Sequence, residues 1–204
     1  MKNFYSFNRS IDASRITSEQ VTWQGPYAFA KYEKFNEFAK LENIPGVYMF
    51  TFDYEDGVIL YGLGVSKMVR KRILAHGRNY RYGQYNVLDV NAAKQGVRKE
   101  IWHGWSYAKN HKQEYLDNEF EIKKAVEHQL ISTKVFIAPI SDERKRYRME
   151  TAIMQNIYSG KELWCDLPDR GSNLIHGRRT SEIPIAVENI TPVKIYGLPE
   201  QLEI

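Results

Sequence analysis

Cysteine is almost missing from this chain. Cys165 stands alone in 204 residues, which excludes an intrachain disulfide and a multi-cysteine zinc site and fits a reducing compartment. Long apolar runs are missing as well: no 18-residue stretch can span a bilayer, and Met1-Lys2-Asn3-Phe4 lacks the apolar tract of a signal peptide. The expectation is a soluble intracellular protein with no membrane partner. There is no internal repeat, low-complexity tract, Walker loop or HExxH helix. The five histidines (His76, His103, His111, His128 and His176) form no compact ligand pairs. Gly62 and Gly64 end a strand before a helix, but Lys67 stands where a dinucleotide fingerprint needs its third glycine. Charge excess is small: 29 Lys and Arg against 25 Asp and Glu leave +4, compatible with nucleic acid without demanding it. What is present is ordinary for a globular protein, with 43% hydrophobic and 26% charged residues in a chain long enough for a sizeable core.

The patterning predicts a helix over Ala28–Leu41, where Tyr32, Phe35, Phe38, Ala39 and Leu41 recur at helical spacing. Pro45-Gly46 breaks it, and two β-rich runs, Val47–Phe52 and Val58–Leu63, flank the turn signal Asp56-Gly57. A helix over Ser66–His76 follows, with Ser66 as N-cap and Gly77 as stop. Asn79–Gln95 reads as a long surface loop, Val97–Trp105 and Tyr115–Leu130 as helices, and Thr133–Ala138 as a strand. Ser141 reads as the N-cap of a last helix to about Tyr158, with Met149, Ile153, Met154 and Ile157 on its apolar side. Beyond Gly160 the pattern fades, apart from a short strand within Thr191–Gly197. This order lacks the repeated units of a doubly wound sheet. It predicts an α/β sandwich (α+β): a small three-stranded antiparallel sheet flanked by helices, with N-terminal, central and C-terminal additions. The corresponding division is a helical extension over 1–44, a core over 45–160 with an insertion at about 78–130, and an extension over 161–204 that serves recognition or dimerisation.

One constellation carries chemistry. Arg72 and His76 lie one helical turn apart, so a permanent cation and an imidazole share a face. Residues 67–81 hold Lys67, Arg70, Lys71, Arg72, Arg78 and Arg81 with no acid, which attracts an anion. Glu150 follows Arg144, Lys145, Arg146 and Arg148, and a carboxylate among cations can hold a hard divalent metal against a phosphate. Taken singly, Tyr48 is an ordinary strand aromatic, Arg72 a solvated helix residue, Glu150 a surface ion-pair partner and His76 a helix cap. Their order along the chain is what stands out.

That order resembles the GIY-YIG endonucleases. Gly46-Val47-Tyr48 looks like the first tripeptide and Tyr61-Gly62-Leu63-Gly64 like the end of the second strand. Arg72 and His76 follow at the family's spacing, and Glu150 takes the place of its single metal-binding glutamate. The resemblance spans Gly46–Glu150. It implies cleavage of double-stranded DNA with Mg²⁺, which Mn²⁺ can replace, in a cytoplasmic protein of prokaryotic or phage type. Tyr48 would help activate water, Arg72 stabilise the phosphate, His76 assist proton transfer and Glu150 bind the metal. Two positions depart from the pattern. Tyr61 lies one residue early, so it is either a core residue on the far face or is returned by a bulge between Tyr61 and Gly64; the expectation is that it reaches the site. Glu162 stands near where the family carries an Asn, and Asn173 is the substitute.

Candidate DNA contacts are Lys67 (phosphate ligand or solvated lysine), Arg70, Lys71, Arg78, Tyr80, Arg81, Arg170, Asn173, Arg178 and Arg179. The absence of a separate DNA-binding module points to a compact type II restriction endonuclease, and one site per chain points to a homodimer. A structure-selective or mobile-element nuclease, and an inactive DNA-binding relative, remain alternatives.

Overall fold

The computed structural model describes residues 16–29, 31, 32, 42–169 and 174–204. It has a mixed α+β architecture with helices on both faces of a central sheet. Strand β1 (Thr17–Thr22) leads through Trp23 into β2 (Gln24–Ala28); β3 (Gly46–Tyr54) and β4 (Gly57–Ser66) form a hairpin, followed by α1 (Val69–Arg81). Next come β5 (Val87–Leu88), α2 (Val90–Ala93), β6 (Glu100–Trp102), α3 (Trp105–Asn110), α4 (Lys112–Asp117) and α5 (Glu119–Ser132). Strand β7 (Lys134–Pro139), α6 (Glu143–Tyr158), β8 (Ile185–Ile190), β9 (Ile195–Tyr196) and β10 (Gln201–Glu203) complete the chain.

The expected antiparallel trio is present as β7-β3-β4, but it is the middle of a five-stranded sheet ordered β2-β7-β3-β4-β9. The added β2 is antiparallel to β7 and β9 is parallel to β4. A separate sheet, β1-β8-β10, joins residues near both ends of the chain. Residues 17–28 are therefore strands where a helical extension was expected. Ala28 closes β2, Phe29, Lys31 and Tyr32 are not helical, and residues 30 and 33–41 of the expected helix lie outside the described residues. Tertiary pairing overrides weak local patterning here: of β1 only Val21 is buried, and the strand exists because it lies parallel to β8. Trp23 anchors the passage between sheets, its indole N–H donating to Asn189 Oδ1 at 3.0 Å.

Strand β3 is buried on both faces through Phe52. Tyr48, Phe50 and Phe52 pack with Val69 and Ile73 of α1 and with Ile122, Val126 and Leu130 of α5. Val47 and Met49 point the other way, onto Met149, Ile153 and Ile157 of α6 and Val187 and Leu202 of the smaller sheet. The Asn79–Gln95 stretch is no surface loop. Val87, Leu88, Val90 and Ala93 belong to the first of these cores, and the Leu88 N–H donates to Gln129 Oε1 at 2.7 Å. Instead of a helix over Val97–Trp105, Glu100–Trp102 pairs with β5, and the Trp102 indole donates to the Gly83 carbonyl at 2.7 Å.

Gly77 does not stop α1. The helix runs on to Arg81, and Gly77 is buried within it because a Cβ there would come within 3.1 Å of the Phe29 ring. The cap of α6 is Asp142 rather than Ser141, its carboxylate accepting the Lys145 N–H at 2.8 Å. Because Asp142 holds the first turn of the helix that carries Glu150, D142A is expected to lower unfolding stability by about 1 kcal/mol. S141A should stay within about 0.5 kcal/mol. Urea titrations of both variants check the assignment, and the reverse order would move the cap to Ser141.

Candidate functional site

The site lies where β4 has no second strand beside it among the described residues. Strand β9 pairs only with Val58 and Ile59, so the Gly62–Val65 stretch borders an open cavity of about 820 Å³. Tyr48, Arg72 and His76 enter it from the α1 side of the sheet, and Glu150 enters from α6 on the other. The edge of one strand thus brings together groups that belong to opposite faces.

Glycines at the register positions facing Tyr48 and Phe50 make the room. Tyr48 pairs with Gly64, and a Cβ on Gly64 would stand 2.4 Å from the Tyr48 hydroxyl oxygen. The ring therefore lies across a position with no side chain, and its hydroxyl meets His76 Nε2 at 2.7 Å. The Arg72 guanidinium lies near enough to the same hydroxyl to pull its pKa down. Burial pushes the Tyr48 phenol up to about 12 even against the pull of Arg72. Burial, followed by the Arg72 charge, drives the His76 imidazole down to about 3. With the phenol protonated and the imidazole neutral, the Tyr48 O–H donates to His76 Nε2 in the tautomer that carries its proton on Nδ1. Arg72 can only donate, so toward this pair it acts as a permanent cation.

Glu150 is the opposite case. It makes no hydrogen bond or ion pair to the described residues, and burial alone raises its carboxyl to about 7. A half-buried carboxylate with no cation, facing a roomy cavity, suits a hard oxygen-seeking ion that keeps most of its own water. Among the described residues no group of three or more His, Cys, Asp or Glu side chains converges into a protein cage for a metal.

Tyr61 is returned by a bulge. Phe50 pairs with Gly62 and Thr51 with Leu60, which leaves Tyr61 as the extra residue of β4. It joins the Tyr48 face and borders the cavity, whereas Leu60 belongs to the opposite core. Its hydroxyl, however, is bonded to Thr133 Oγ1 at 2.7 Å, and its ring stacks on Phe52 with centroids 4.1 Å apart. The face is as expected; the hydroxyl is tied into the core.

The expected DNA contacts divide. Lys67, Lys71 and Arg78 are exposed and Arg70 half-buried on the basic helix and its approach; Lys67 faces Glu143 at 3.2 Å in an exposed pair worth little. Tyr80 is a core residue, packed edge-on against Tyr85. Arg81 is held by Glu127 at 2.9 Å and by the Tyr32 hydroxyl at 2.8 Å, so its charge braces the fold. Arg178 is drawn to Glu203 at 3.6 Å and to the Glu182 carbonyl, while Arg179 is exposed. Arg170 and Asn173 lie outside the described residues. Sequence reasoning missed the far wall. There Asp169 accepts from Asn86 Nδ2 at 2.7 Å, Arg98 Nη2 at 2.6 Å and the Trp105 indole at 3.1 Å. From sequence, Trp105 reads as a core or interface anchor; in the structure half of it is exposed.

Compared with protein-family models, curated proteins and solved structures, the chain matches none. No helix among the described residues is long and apolar enough to cross a membrane.

Glu150 gives a direct test of this electrostatic picture. Its folded-state pKa of about 7 stands above the ordinary 4.5, so folding favours the protonated form. The contribution is present in full below about pH 4.5 and is lost as pH rises through about 7. At about pH 8, E150Q should exceed the wild type in stability by about 1–3 kcal/mol, a gap that closes near pH 4. Denaturant titrations at the two pH values decide it; a less stable E150Q at high pH would mean that the carboxylate has a cationic partner.

Proposed function

We propose that this protein is a divalent-metal-dependent endonuclease that hydrolyses phosphodiester bonds of double-stranded DNA, with kinship to the GIY-YIG enzymes. The observation that carries the reading is the opposition, across one cavity, of Arg72 with the Tyr48–His76 pair and a Glu150 carboxylate that has no partner among the described residues. A permanent cation beside hydrogen-bonding groups suits a phosphate, and a lone buried carboxylate suits the metal that accompanies one. Arg70, Lys71 and Arg78 extend the positive surface along α1 toward solvent.

Glu150 would hold Mg²⁺ or Mn²⁺, which when bound supplies charge to neutralise the phosphate. The chain's own groups do the rest. Arg72 binds a nonbridging oxygen and stabilises the charge that grows there. A Tyr48 phenol near 12 stays protonated at neutral pH, so it acts by orienting water while His76 fixes the direction of its O–H. Neutral His76 is the proton acceptor of that pair, and withdrawal of Arg72 toward a phosphate raises its basicity by removing a nearby cation. The subtype we favour is type II restriction by a homodimer on a symmetric site, since one active site per chain cuts one strand.

Supercoiled plasmid incubated with Mg²⁺ tests the reading. The wild type should yield discrete fragments and E150A none, while R72A and Y48F should each lose about 10²-fold or more in rate. Random nicking would favour a structure-selective or mobile-element nuclease over restriction. DNA binding without cleavage under any metal would point to an inactive DNA-binding relative and contradict the hydrolytic reading.

A further inference from the structure

Trp105 is held in an unusual way. Its backbone is left-handed, with φ 56°, a conformation that is a genuine outlier for a bulky side chain. Such strain persists only where the surroundings over-determine it. Here they do: the Gly104 N–H donates to Asn86 Oδ1 at 2.6 Å and the Trp105 N–H to the Gln84 carbonyl at 2.8 Å. A Cβ on Gly104 would stand 2.3 Å from the backbone of Tyr85. The bond from the indole to Asp169 fixes the ring in turn. One side of the ring packs on Tyr85 with centroids 4.6 Å apart, and Tyr85 leans on His76 at 5.2 Å. An aromatic series therefore runs from the proton-accepting imidazole to Trp105. Half of Trp105 is nonetheless exposed, and it borders the same cavity as Glu150.

We propose that Trp105 is a stacking platform for an unstacked nucleobase next to the scissile phosphate, an inference that rests on the nuclease reading above. The wall offers a π-face with its polar groups already engaged, because Asp169 is spent on Asn86, Arg98 and the indole itself. It suits a planar ring attached to an anion bound by Arg72. A base within a duplex has both faces covered, so the occupant must leave the stack, and stacking on an aromatic side chain tolerates any base. Trp105 is thus a substrate-positioning residue, and the substrate is opened locally where it is cut.

The test is a binding cycle by fluorescence anisotropy with divalent metal omitted. It uses duplexes that carry the mapped cleavage site, or mixed sequence where none maps, with a single abasic nucleotide moved along one strand. W105A should weaken binding to intact duplex by about 5- to 150-fold. One abasic position should cost the wild type a similar factor and cost W105A nothing, and W105F should retain most of the affinity. Binding by W105A and W105F within about twofold of wild type would overturn the proposal, as would a W105A loss that no abasic position mimics. Because metal is absent, a protein that shows the cycle but never cleaves contradicts only the hydrolytic reading. One that cleaves without showing the cycle contradicts only the stacking. A wild type that binds no duplex contradicts both.

Discussion

The contact between Tyr48 and Gly64 is the constraint on which the rest of the site depends. The phenol ring occupies the space that a side chain on the neighbouring strand would fill. From there its hydroxyl reaches His76, and Arg72 lies near the hydroxyl. A methyl group at Gly64 would stand 2.4 Å from the Tyr48 hydroxyl oxygen, so the ring would have to leave its place. The glycine-rich end of β4 thus sets the orientation of three functional side chains without contributing one of its own.

Burial then gives these groups their chemistry. The same desolvation that keeps the Tyr48 phenol protonated keeps His76 neutral and Glu150 partly protonated, each shift opposing charge. Arg72 alone stays charged, its contact with Tyr48 offsetting the burial that works against it. The free site is therefore a poor home for anions on the Glu150 side and a good one on the Arg72 side. A ligand that brings both a cation and an anion satisfies the two walls together, and a metal-bound phosphodiester is such a ligand.

Much of this was legible where local signals were strong. The hairpin, β7 and α6 followed from β-rich runs, a turn signal and a helical apolar stripe, and Arg72 and His76 from one turn of helix. The smaller sheet was not legible, since β1 and β8 lie far apart in sequence and each buries too little to announce a strand. Tyr61 shows the limit within a single element: the bulge that returns it to the Tyr48 face is permitted by neighbouring glycines, but the bond to Thr133 depends on β7 and α5 packing above it. The far wall was hidden for the same reason, because Asn86, Arg98, Trp105 and Asp169 converge from separate segments.

The proposed function rests on Glu150, which has no partner among the described residues, acting as the ligand of a divalent metal ion. Anomalous diffraction from crystals soaked in Mn²⁺ tests this most directly. A peak beside the Glu150 carboxylate that vanishes in E150Q is expected. A protein that binds Mn²⁺ only at other carboxylates, with no density at Glu150, would contradict it.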